Sequence, residues 1–96
     1  MSVGLVAIHH PRAETRDELI SRVQKAAEIM SQTPGCQSAE CWATATDDTI
    51  VTTGQWESDD AMAAGFAAVQ AAGVDFDYDE RESRPRNVIR LIEPRG

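Results

Sequence analysis

The sequence is short of aromatic residues, cysteine and positive charge, and each shortage narrows what the chain can do. Nine lysines and arginines stand against sixteen acidic residues, for a net charge of −7. That balance speaks against nucleic acid, whose phosphates demand a basic surface. Cys36 and Cys41 are the only cysteines. Their spacing matches neither a Cys-x-x-Cys redox pair nor a zinc knuckle. On a single strand an odd separation sends the two to opposite faces, so two reduced, structural thiols are expected. No apolar run approaches the roughly 20 residues of a membrane span. Met1 to Ile8 lacks the basic start and long apolar stretch of a secretion signal, so a cytoplasmic protein is expected. No repeats or low-complexity linkers stand out, and a single domain is expected. Neither His9 nor His10 has another histidine or a carboxylate cluster at ligand spacing, so no metal is expected.

What is present makes one small α+β domain. A chain of 96 residues falls in the size range of a single domain. It buries only about two thirds of the surface that it exposes when unfolded, so a second copy is a natural way to add core. Val3 to His9 is an aliphatic, β-branched run stopped by Pro11. Both of its parities are apolar or neutral, as in a strand covered on both faces. Thr15-Arg16-Asp17-Glu18 has the form of a capping box. Leu19, Ile20, Val23, Ala27 and Met30 then recur at helical spacing until Pro34-Gly35, which predicts a helix over 16–32. Ser38 to Thr46 and Thr49 to Glu57 read as a hairpin turning at Asp47-Asp48. Ile50, Thr52, Gly54 and Trp56 share one face of its second strand. Gly54 there signals a bulge or a close approach. Ser58 caps a second helix, whose apolar stripe is Met62, Gly65, Phe66 and Val69 and whose end is marked by Gly73. Asn87 to Glu93 is a final strand. Between them, Val74 to Arg86 reads as a charged loop that lays Phe76 and Tyr78 across the domain. Its interleaved arginines and acids predict a solvated segment with local ion pairs, an anionic ligand held by one arginine being the other possibility.

Two stretches carry a family likeness. They are Pro34-Gly35-Cys36 after the first helix, and Gln55-Trp56-Glu57-Ser58 followed by Asp59-Asp60-Ala61 at the junction of strand and second helix. With the β-α-β-β-α-β order, the chain resembles the antibiotic biosynthesis monooxygenase family of dimeric α+β barrels. The resemblance implies a ferredoxin-like, four-stranded antiparallel sheet with both helices on one face. It also implies a homodimer formed through the other face and a small-molecule pocket between sheet and helices. Some members are cofactor-independent oxygenases that bind a phenolic substrate in an apolar pocket, ionise it and let its anion reduce O₂. Such a site needs oxyanion partners and a cavity that excludes water. Anthrone-type members are thought to use tryptophan, asparagine, tyrosine and arginine. Trp56 holds the strand-end tryptophan position, and Thr52 stands where the asparagine is expected. Haem-degrading relatives need an asparagine on the first strand and tryptophan and histidine on the second helix. Here the only asparagine is Asn87, no histidine follows His10, and neither tryptophan is on that helix.

The candidate set follows. Adjacent residues on a strand face opposite ways, so at most one of His9 and His10 reaches a given pocket. A neutral imidazole there is suited to act as general base, against the plainer role of a hydrogen-bonded or exposed strand-end histidine. His9, Trp56 and Thr52 are therefore the expected catalytic residues, and Trp42, Met62, Phe66 and Tyr78 the expected substrate wall. Each apolar member could instead be plain core. The leading expectation is an oxygenase for an aromatic or polyketide-like molecule, without metal or flavin. The alternatives are a ligand-binding or accessory dimer without catalysis, and a cofactor-free isomerase of the same fold.

Overall fold

In the computed structural model, which describes residues 2–47, 49–75 and 79–94, the alternation of two side-chain periods produces two layers. Strand β1 spans Val3–His9, helix α1 Arg16–Ser31, strand β2 Cys36–Ala43, strand β3 Ile50–Trp56, helix α2 Asp59–Ala71 and strand β4 Asn87–Ile92. The sheet is antiparallel with order β2-β3-β1-β4. This is the ferredoxin-like arrangement, and both helices lie on one face of the sheet. The shortest dimension of 19 Å leaves room for one sheet and one helix layer.

The core sits between those layers. Val3, Ala26, Met30, Trp56, Ala61, Met62 and Val69 are buried together, with Leu5, Ile29, Cys36, Ala39 and Phe66 packed against them. The α1 stripe buries Leu19, Val23, Ala26 and Met30. Ser58 caps α2 as its sequence implies, its Oγ accepting from the Ala61 N–H at 3.1 Å.

Two local expectations are corrected. Thr15 makes no side-chain cap. A single 3₁₀ turn, Ala13–Thr15, runs straight into α1, so Thr15 lacks the extended backbone of an N-cap. Its hydroxyl instead donates to the Arg81 carbonyl at 2.7 Å, and Glu18 accepts from Arg22 at 2.7 Å. The second correction concerns the cysteines. The β2–β3 register shifts between Cys36 and Ser38, so Cys36 pairs with Trp56 and Cys41 with Thr52. The irregularity restores parity and puts both thiols on the helix-facing side. Four ladder steps, about 13 Å, still separate them. Both are free, and burial raises the pKa of each above its ordinary value, which disfavours the reactive thiolate.

The helices cover the sheet unevenly. Both pack on β2 and α2 also on β3, whereas β4 packs chiefly on β1, and every residue of β4 is exposed. Val6 and Ile8, which alternate with the buried Val3, Ala7 and His9, are only half-buried. The expected cover on the second face of β1 is therefore not supplied within one chain. No helix among the described residues is long and apolar enough to cross a membrane.

Candidate functional site

Between the sheet and the helices lies a partly open cavity of about 270 Å³. Its floor includes Leu5, Ala7 and His9 of β1 and Thr52, Gly54 and Trp56 of β3. Val23, Ala26 and Met30 of α1 and Phe66 of α2 close it from the helix side, and Arg86 and Val88 stand at its β4 flank. The walls are mostly apolar, and polar groups enter mainly from His9, Thr52 and Arg86. Few polar groups in an apolar cleft is the usual make-up of a small-molecule site.

Trp56 is wedged into its place by two glycines. It is 1% exposed, and its indole folds back over Gly54, where an added Cβ would lie 2.4 Å from the ring. On the helix side, a Cβ on Gly65 would lie 3.1 Å from Nε1. Phe66 completes the packing, ring centroids 5.9 Å apart and tilted by 34°. The close approach signalled by Gly54 is thus to the neighbouring indole, and Gly65 gives up helix propensity to admit the same ring. The buried Trp56 Nε1 has no hydrogen-bond partner among the described residues.

His9 is 4% exposed. Its Nε2 lies 3.2 Å from Thr52 Oγ1. Its Nδ1 faces Glu82 Oε1 at 3.7 Å. Glu82 is 1% exposed, and its Oε2 accepts from Arg86 Nε at 2.8 Å. A line of four groups therefore runs Thr52–His9–Glu82–Arg86, with its two central members buried. Burial, then the Arg86 guanidinium, then His10 lower the His9 pKa to about 4. The Glu82 carboxyl is engaged by Arg86 and lies too far from Nδ1 for a hydrogen bond to His9. At neutral pH His9 is an uncharged imidazole, able to take a proton.

The rest of the expected set divides. Trp56, Thr52, His9 and Phe66 come together at the cavity. Met62 is buried in the core but does not line the cavity, because it belongs to the α2 face packed into the helix–sheet layer. Trp42 lies on the opposite face of the sheet, 59% exposed. It pairs with Val51, whose parity faces away from the helices. Tyr78, like Phe76, lies outside the described residues. Glu82 and Arg86 were not singled out by sequence, since the stretch around them reads as solvated. Ion pairs do occur there, as between Arg81 and both Asp79 and Glu18. Glu82 is the exception, because its backbone bridges to Pro11 and carries the carboxylate inward.

A model of the antibiotic biosynthesis monooxygenase family matches residues 2–68. The chain belongs to that family. Solved structures extend the likeness over the whole family fold. Rv0793 from Mycobacterium tuberculosis is 20% identical, with a TM-score of 0.79, over 100% of this chain and 98% of that one. An antibiotic biosynthesis monooxygenase is 13% identical, with a TM-score of 0.78, over 97% and 99%. A conserved protein from Methanosarcina mazei Go1 is 9% identical, with a TM-score of 0.83, over 98% and 94%. At such identities these neighbours establish the fold of this family member and leave its chemistry to its own residues. A comparison with curated proteins gives no match.

Proposed function

We propose that this protein is a cofactor-independent monooxygenase for an aromatic or polyketide-like small molecule, working as a homodimer. The observation that carries the reading is a neutral, buried His9 paired with Thr52 on the wall of an apolar cavity that Trp56 and Phe66 also line. A flat, hydrophobic substrate with one acidic hydroxyl or enolisable carbon fits that surface. His9 Nε2 takes the substrate proton, directly or through the Thr52 hydroxyl. The buried Arg86 Nη2 and Trp56 Nε1, both without partners among the described residues, are donors available to the resulting oxyanion. The electron-rich anion then reduces O₂ by one electron. Recombination at carbon gives a peroxide, which loses water. In sum, a CH₂ and O₂ become C=O and H₂O.

The test is oxygen uptake with a panel of anthrones, quinols and catechols, metal chelated and no flavin added. Uptake matched by quinone formation is expected for at least one substrate. The same proton-handling groups suit an isomerase, so conversion of an enolisable substrate without oxygen uptake would replace oxygenation by proton transfer. Binding to the cavity without turnover would make the protein a carrier.

The dimer is read from the sheet's uncovered face. Trp42, Val51, Val6, Ile8, Ile89 and Leu91 share it by register. Trp42, Ile89 and Leu91 are 59%, 48% and 43% exposed. Apolar patches of that kind on a small domain mark an interaction surface, and a second copy of the sheet is complementary to it. Sedimentation at micromolar concentration is expected to show a dimer, and Ile89→Lys with Leu91→Lys to shift it to monomer. A wild-type monomer would contradict this reading.

A further inference from the structure

The acid beside His9 lies outside the expected catalytic set, yet it is one of the most buried side chains in the molecule. Glu82 is held there by backbone pairing on both sides. The Arg12 N–H donates to the Arg81 carbonyl at 3.1 Å, and the Ser83 N–H donates to the His10 carbonyl at 2.7 Å. The Ser83 hydroxyl donates to that same carbonyl at 3.1 Å. These bonds tie the acid's neighbours to the residues that follow His9, so the carboxylate is fixed relative to the imidazole.

One carboxylate oxygen is bound by Arg86, and the other is buried with no hydrogen-bond partner among the described residues. The buried atom facing it, His9 Nδ1, also lacks one. Burying either group unpaired is costly. A proton on Nδ1 relieves the mismatch. With the proton on Nδ1, the N–H points at the free carboxylate oxygen, and a movement of less than about 1 Å makes a charge-assisted hydrogen bond. With the proton on Nε2, two sets of lone pairs face each other in a poorly solvated site.

We propose that Glu82 is a positioning residue that holds His9 in the Nδ1–H form and leaves Nε2 bare toward Thr52 and the cavity. The neighbouring geometry shows why such a group is needed. The Thr52 hydroxyl lies 3.2 Å from Nε2 and 3.5 Å from the Ala7 carbonyl. Without the carboxylate, Nε2–H could donate to Thr52, which would donate onward to Ala7, and the base would be blocked. Arg86 binds one oxygen of Glu82, so that its second oxygen faces the imidazole. The proposal rests on His9 being the base of the reaction above, but the tautomer can be read without any turnover.

The experiment is ¹⁵N NMR of the His9 imidazole at neutral pH in the wild-type protein and in Glu82→Gln. In the variant, Arg86 takes the amide oxygen and the NH₂ is left facing Nδ1, which imposes the Nε2–H form. An amide in place of the carboxylate of a Ser-His-Asp triad acts in this way and lowers kcat about 10⁴-fold. The expected result is Nδ1–H in the wild type and Nε2–H in Glu82→Gln. With a substrate in hand, kcat should fall at least about 100-fold, with KM little changed. Glu82→Asp should retain the Nδ1–H form. Nε2–H in the wild type overturns the proposal, and so does an unchanged tautomer in Glu82→Gln. Should Glu82→Gln fail to fold, the wild-type spectrum decides alone. The expected tautomers with no oxygen uptake would sustain the role of Glu82 and count against oxygenation.

Discussion

Gly54→Ala is expected to cost about 3 kcal/mol of stability, far more than one methyl on a strand ordinarily would. The new Cβ would lie 2.4 Å from one carbon of the Trp56 ring and 2.8 Å from another. Gly65, Phe66 and the buried core close the far side of the ring, which restricts its retreat. Gly65→Ala offers the contrast. Its Cβ would meet Trp56 Nε1 at 3.1 Å, a contact that a slight shift relieves, and alanine recovers about 1 kcal/mol of helix propensity. Its net effect should fall within about 1 kcal/mol of zero. Urea denaturation of both variants checks the pair. In a Trp56→Phe background the smaller ring should remove most of the Gly54→Ala penalty. A penalty equal in both backgrounds would mean that the indole is not what Gly54 accommodates.

Acid should weaken the fold earlier than its carboxylates alone would cause. His9 is lowered from 6.5 to about 4, so between those values the unfolded chain binds a proton that the folded protein refuses. The stabilising contribution is whole above pH 6.5 and is lost as pH falls toward 4. Discounted for partial solvent screening, the full loss is on the order of 2–3 kcal/mol. The carboxylates held lowest titrate in a separate window. The Arg81 guanidinium lowers Asp79 to about 2, and hydrogen bonds from Thr44 and Thr49 lower Asp47 to about 2. Their contributions fade only below pH 4. Unfolding free energies at pH 7, 5.5 and 4.5 should fall in the wild type and stay much flatter in His9→Gln. Parallel curves would show that His9 is not buried in its neutral form.

The architecture was legible because each element carries its own local signature. The α1 stripe, the Ser58 cap and the β-branched strands all point to one topology, and nothing in the chain competes with it. Face assignments were legible where parity runs unbroken. Ile50, Thr52, Gly54 and Trp56 do share the helix-facing side, and His9 reaches it from β1. Parity failed at Cys36, where an irregular register just after Pro34-Gly35 returns both cysteines to one face. Trp42 was expected in the substrate wall, but it faces away from the helices. Which face the helices would cover is a property of the assembled sheet, so its distance from the cavity was not readable locally. Met62 illustrates the same limit, since an apolar helix stripe does not say which of its members meet a cavity. Glu82 was hidden for another reason. Burial of a carboxylate leaves no periodic trace, and its neighbours are charged. Two weak signals existed: the Glu82–Arg86 spacing of an ion pair, and a connection from α2 to β4 longer than most.

The central claim is that His9 acts as a neutral base in an oxygen-consuming cavity. The measurement that tests it most directly pairs oxygen consumed with quinone formed, for wild type and His9→Gln, on the best substrate of the panel. The account predicts equimolar oxygen and quinone in the wild type. It also predicts a fall in kcat of about 10²–10³-fold in His9→Gln, with the fold and the dimer intact. Equal turnover by the two proteins would contradict it.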